Sequence, residues 1–266
     1  MDMMLLLGLV ASLIMGMSLG VFGAGGSILT VPILVFLMGV GAAEATAYSL
    51  FIVGVTALFG MYTYYKQGLI QFKIGFIFAI PAFIAVYSVR LFLMPALPEH
   101  IAQIGSWDLS KDTLILVVFA LVMMMAAYAM IKPSNIKESE EQKPLNLPLI
   151  AAEGLLVGGV TGFVGAGGGF LIIPALVLLA GLSMKQAVGT SLMIIAFKSL
   201  LGFVGDIQAG LVVDWLLLFE VLGLSIIGVF VGGKLCRTLD SNKLKPAFGY
   251  FVLVMGLIIL SREILA

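Results

Sequence analysis

The chain has one cysteine, Cys236, and one histidine, His100. A single thiol excludes a disulfide within the chain, and the two residues together are too few for a His/Cys metal cluster. Charge is scarce as well. Only 11% of the 266 residues are charged, against roughly 25% in an average soluble domain, and 14 basic residues cancel 14 acidic ones. Zero net charge leaves no electrostatic footprint for a nucleic-acid partner. No basic cluster precedes the first apolar run, Met1-Asp2-Met3-Met4-Leu5, so this end is expected to stay in the mature chain rather than act as a cleaved signal. What is abundant is apolar surface: 62% of residues are hydrophobic. The composition implies an all-α, multi-pass protein of the cell membrane, with the lipid bilayer as its principal partner and no cofactor.

Eight apolar segments follow one another, at about 3–38, 44–65, 72–95, 110–131, 147–181, 186–205, 213–235 and 246–262. A crossing takes roughly 20 residues. Six segments fit that length, but the first and fifth run to about 35 residues, and each is interrupted by glycines. The first interruption reads Gly23-Ala24-Gly25-Gly26-Ser27-Ile28-Leu29-Thr30-Val31-Pro32, and the second, 142 residues later, reads Gly165-Ala166-Gly167-Gly168-Gly169-Phe170-Leu171-Ile172-Ile173-Pro174. Glycine costs a helix about 1 kcal/mol per residue relative to alanine. Such runs should therefore break it, and lipid tolerates a break only where the freed backbone groups are covered by protein or line a wet cavity.

The same register holds over 16–70 and 158–212 without a gap. It pairs Gly16 with Gly158, Gly20 with Gly162, Gly39 with Gly181, Ala45 with Ala187, Ser49 with Ser191, Gly60 with Gly202 and Gly68 with Gly210. This is an internal duplication: a first membrane repeat over 1–131, a polar linker over 132–146 and a second repeat over 147–266. The linker, bracketed by Pro133 and Pro144 and mixed in charge, suits an exposed tether.

Each broken segment could be one long bent crossing or a hairpin of two half-helices. Cytoplasmic loops collect Lys and Arg. With single crossings the basic residues split evenly. With hairpins one side holds Lys66, Lys73, Lys132, Lys137, Lys143, Lys185, Lys234, Arg237, Lys243 and Lys245, and the other only Arg90, Lys111 and Arg262. The hairpin arrangement obeys the rule. It leaves three full spans per half, so the repeats are expected to be inverted, with the linker cytoplasmic and the two breaks meeting near the midplane.

A half-helix that starts after a break presents unpaired N–H groups and the positive end of its dipole, which suits a small anion. The candidate anion-binding residues are Gly25, Gly26 and Ser27 in the first break and Gly167, Gly168 and Gly169 in the second. Gly16/Gly20 and Gly158/Gly162 look instead like small residues that let helices pack closely. Ser49 and Thr56, seven apart on the next helix, share a face. Their counterparts are Ser191, with Thr190 beside it, and Lys198. A lysine in mid-membrane faces a cavity or a partner. Lys198 either adds positive potential for the anion or pairs with Glu220. Asp206 stands near a helix end, where interfacial solvation or proton carriage would suit it. Glu220 and Glu153 are further candidates for coupling to a proton or cation, and Glu44 for capping its helix.

The duplicated glycine break, each followed by a proline and a small-polar helix, resembles the TauE/SafE sulfite exporter family, also called TSUP permeases. The resemblance spans nearly the whole chain. It implies a secondary transporter of a small sulfur-containing anion such as sulfite, sulfoacetate or another organosulfonate, driven by an ion gradient and working by alternating access. An anion channel, or a transporter of another small anion such as a carboxylate, fits the same residues. An enzyme does not: Asp206 has only Asp214 as an aspartate nearby, and that residue falls in a loop.

Overall fold

The computed structural model describes residues 3–22, 27–104, 107–131, 147–165, 168–178, 180–235 and 241–265. The first limb, α1 (Met3–Phe22), is separated from the short α2 (Thr30–Pro32), which widens into a π turn over Ile33–Leu37. Then come α3 (Ala42–Lys66) and α4 (Phe72–Ser88), the latter continuing through a π turn at Val89–Leu93 into α5 (Met94–Ala96). A ribbon of β1 (His100–Ile104) and β2 (Trp107–Ser110) leads to α6 (Lys111–Ile131). The second repeat contributes α7 (Leu147–Val164), α8 (Gly169–Leu178), α9 (Met184–Gln208), α10 (Trp215–Leu235) and α11 (Ser241–Leu265). The ribbon is the one departure from an all-helical reading among the described residues. Pro98 and the Gly105-Ser106 pair punctuate a stretch too polar to continue a span.

Among the described residues α1, α3, α4 with its continuation, α7, α9 and α10 are long and apolar enough to cross a membrane. Leu7, Phe92, Met125, Leu156 and Leu216 point outward as apolar side chains, as a lipid-facing surface requires. The first segment is a hairpin: Gly8 in α1 faces Leu37 and Met38, which end the returning limb. Its limbs are unequal, however, and so are those of the fifth segment. At 1.5 Å per residue the 18 residues of α7 rise about 27 Å, whereas the 10 residues of α8 rise about 15 Å. A full-length helix followed by a short return replaces the expected pair of half-helices. Apolar side chains continue up to the glycines, and nothing earlier stops the helix.

The duplication extends to the backbone. Val40 N–H donates to the Leu34 carbonyl at 3.0 Å and Leu182 N–H to the Leu176 carbonyl at 3.2 Å. Leu69 N–H donates to Tyr64 O and Leu211 N–H to Asp206 O, both at 3.1 Å. Gly39 and Gly181 share a positive φ, as do Gly68 and Gly210.

Packing between the repeats is reciprocal. α1 lies along α10 and α7 along α4, each pair running in the same direction: Gly16 abuts Ser225 and Gly20 abuts Val229, while Gly154 abuts Phe78 and Gly158 abuts Ala82. A Cβ at any of these four glycines would strike the facing backbone, so close packing accounts for them. The counterpart helices α3 and α9 cross in opposite directions. A Cβ on Gly54 would lie 2.8 Å from Leu200, one on Gly60 3.3 Å from Leu192, and one on Gly189 2.9 Å from Tyr64. The helix starts are capped differently. The Asp112 carboxylate at the head of α6 accepts from Ala42 and Ala43 N–H at 3.1 and 3.2 Å. Ser183 and Gln186 form a capping box on α9, whereas Glu44 is exposed in the first turn of α3.

Candidate functional site

α7 ends where Gly165 N–H donates to the Thr161 carbonyl at 2.9 Å, and α8 begins where Leu171 and Ile172 N–H reach the Gly168 carbonyl at 3.0 and 3.1 Å. Gly165 and Gly168 hold φ of 74° and 71°, a region costly for any other L residue. Space forbids a side chain as well. A Cβ at Gly165 would strike Thr46, and one at Gly168 would strike Thr161 and sit 3.2 Å from Lys198 Nζ. The second break is therefore clamped between α3 and α9.

Lys198 is fully buried near the middle of α9 and donates from Nζ to Thr161 Oγ1 at 2.6 Å. Its partner is a neutral hydroxyl. Among the described residues no carboxylate pairs with it. A buried amine held only by a hydroxyl has no counter-ion of its own, and the N-terminus of α8 beside it adds positive potential.

Two helical turns further along α9, Asp206 meets Arg90. Arg90 lies in the π turn that extends α4, is 1% exposed, and places Nη1 3.5 Å from Asp206 Oδ1 and 3.0 Å from Thr46 Oγ1. Small residues make the approach possible: a Cβ on Gly205 would already be 3.3 Å from Arg90 Cβ, and one on Gly202 would collide with Val86. Asp206, Arg90, Thr46 and Gly165 thus lead from one end of α9 toward Gly168, Thr161 and Lys198. Eight residues of helix separate Asp206 from Lys198, a rise of about 12 Å. Two basic side chains, Lys198 and Arg90, stand against one carboxylate in this column. Five buried polar atoms have no hydrogen-bond partner among the described residues: Ser49 Oγ, Ser199 Oγ, Arg90 Nε and Nη2, and Asp206 Oδ2.

Of the residues singled out from sequence, the structure brings Gly168 and Lys198 together. Gly169 opens α8, and Ser27 is buried at the start of the first return. Gly25, Gly26 and Gly167 lie outside the described residues. Thr56 is buried but its hydroxyl is spent on the Ile52 carbonyl at 2.7 Å. Ser191 bonds the Val188 carbonyl, and Thr190 accepts from Gln71 N–H at 3.0 Å, which ties α9 to the α3–α4 connection rather than to Lys198.

Three expectations need correction. Glu220 is exposed on α10 and so does not pair with the fully buried Lys198. Asp206 is 7% exposed and ion-paired instead of solvated. Arg90 is not a loop charge, and removing it leaves the sparsely basic side with Lys111 and Arg262 alone. Glu153 is half-buried on α7. The sequence reading passed over Arg90, Thr46, Thr161 and Ser199. Arg90 carried a signal, a charge inside an apolar segment, and so did Thr161, four residues before Gly165.

The family model "Sulfite exporter TauE/SafE" matches residues 7–259. The "probable membrane transporter protein YdhB" of Bacillus subtilis is 28% identical over 251 residues, covering 93% of this chain and 96% of that protein. A "probable membrane transporter protein" of Xylella fastidiosa strain 9a5c is 28% identical over 256 residues, 94% of this chain and 92% of its own. A Methanocaldococcus jannaschii relative, MJ0441, is 26% identical over 210 residues, 76% of this chain and 72% of its own. No solved structure matches the chain. A polytopic helical chain with such relatives is a membrane transporter and not an enzyme, and it belongs to the TauE/SafE sulfite exporter family.

Proposed function

We propose that the chain is a secondary transporter of a small sulfur-containing oxyanion, sulfite or an organosulfonate, bound at the second glycine break. The observation that carries this reading is Lys198: fully buried, beside Gly168, and bonded to a neutral hydroxyl. A buried cation without a counter-ion is costly in a membrane protein and marks a pathway for charge. An anion at Gly168 would meet the Lys198 ammonium and the first N–H groups of α8 together.

Alternating access by inverted repeats is the mechanism we infer. The antiparallel crossing of α3 and α9 supports it, because counterpart helices run opposite ways only if the repeat axis lies across them. Rocking of one repeat against the other would then open a fixed site to either face. The test is counterflow of labelled sulfite in proteoliposomes. Saturable uptake accelerated by sulfite on the opposite side is the expected result. Linear flux without that acceleration would mean a channel, and no flux of sulfite or of sulfoacetate would overturn the substrate class.

A further inference from the structure

We infer a second oxyanion station in the same column, formed by the Nε–Nη2 edge of Arg90, with Asp206 as its built-in competitor. The inference rests on the anion-transport reading above and adds a residue and a geometry to it.

Arg90 has five N–H donors in a rigid fork. Nη1 is engaged by Thr46 at 3.0 Å and Asp206 at 3.5 Å. Nε and Nη2 are buried and have no acceptor among the described residues. Those two nitrogens form the side-on edge of the guanidinium, whose parallel N–H groups match two oxygens of one carboxylate, sulfonate or sulfite. Leaving such donors unpaired in a protein interior costs about 1–3 kcal/mol each, and more in a charged group. A purely structural ion pair would place this edge, the better bidentate face, on Asp206. Here the carboxylate takes the other nitrogen at 3.5 Å, and its Oδ2 is itself unpartnered. Asp206 neutralises the arginine without occupying its best binding edge.

The position along the column gives the station a use. Arg90 sits level with the last turn of α9 and Lys198 near its middle. An anion entering from the Asp206 end meets Arg90 first and Lys198 second. The Asp206 charge weakens the hold of Arg90 and keeps the first station from becoming a trap. Gly165, packed on Thr46, joins the two stations through the residue that holds Arg90 Nη1.

The test is equilibrium binding of sulfite and, separately, of acetate to the full chain in nanodiscs. Arg90→Lys keeps the charge and loses the fork, so it should weaken both anions at least tenfold. Asp206→Asn removes the competing charge and should tighten them several-fold. Each variant is checked for a monodisperse elution profile and for ligand-free melting temperature. If Arg90→Lys does not fold, the neutral pair Arg90→Gln with Asp206→Asn replaces it, and should likewise lose oxyanion binding. Unchanged affinity in Arg90→Lys or in the double variant, or weaker binding in Asp206→Asn, would make Arg90 a structural counter-ion and overturn the inference. Lys198→Gln run in parallel separates the two ideas. Loss there with wild-type affinity in Arg90→Lys removes the second station and leaves the transport reading standing. A wild-type chain that binds neither probe overturns both.

Discussion

The two repeats share the turns that follow their glycine breaks and differ in the charge they bury. The column that begins at the second break comprises Thr161, Lys198 (followed in the chain by Ser199), Asp206, Thr46 and Arg90. Shifting by 142 residues puts Leu19, Thr56, Ala57, Tyr64 and Val188 in the first five of those places, and the Gly232-Gly233 pair opposite Arg90. Turns, positive-φ glycines and the glycine-to-backbone contacts recur in both repeats, while among the described residues the buried Lys198 and Arg90 have no basic counterpart. The repeated part is what two halves need to pack against each other. On the proposed function the unrepeated part is what one ligand would need, and a single column avoids the cost of burying a second unpaired lysine.

That difference can be broken most severely at Gly168. Gly168→Leu drives a side chain into Thr161 and Lys198 and should abolish sulfite uptake by at least ~100-fold, the equivalent of about 2.7 kcal/mol. Gly159→Leu, on α7 where a Cβ meets nothing within 4 Å, should transport at close to the wild-type rate in the same assay. The next largest effect comes from copying the polar pair into the first repeat. Leu19→Thr with Thr56→Lys adds a second buried ammonium, and thermal unfolding should show a loss of about 2.5–3.5 kcal/mol. A double variant as stable as the parent would mean that the first break tolerates charge as well as the second does.

Where the repeats are alike, matched substitutions should behave alike. Gly16→Ala and Gly158→Ala each force a methyl against a facing carbonyl, and each should cost about 1–3 kcal/mol by overpacking, read as melting temperature. A large effect in one and none in the other would undo the reciprocal packing. The smallest expected effects are at the helix starts. Asp112→Ala and Ser183→Ala should each cost about 1 kcal/mol, although one cap comes from a neighbouring helix and the other from its own.

Much of this organisation was legible before any coordinates. Helices α3, α4, α6, α9, α10 and α11 follow from length and composition, and α3, α4, α9 and α10 of them are long and apolar enough to span. The ends of α1 at Phe22 and of α7 at Val164 follow from the glycines beyond them, and Lys198 stands out as a charge in an apolar helix. The unequal limbs were not legible, because nothing in an apolar run marks its depth. Arg90 was missed for a different reason. Counted by position along the chain it resembled a loop charge, and only the π turn at Val89–Leu93 and the glycines of α9 carry it inward to Asp206. Thr190 and Ser191 show the converse. Conserved register between the repeats suggested a shared site, but their hydroxyls serve the α3–α4 connection and the backbone of α9. Register reveals duplication, and the proposed ligand site lies where the duplication fails.

The central claim, that one anion is held at the second break by Lys198, is tested most directly by the affinity of the full chain in nanodiscs for sulfite. Lys198→Gln should weaken binding by roughly 10- to 100-fold, the size of a lost charged hydrogen bond, and its counterpart Thr56→Val by less than about threefold. Equal losses in the two variants, or wild-type affinity in Lys198→Gln, would contradict it.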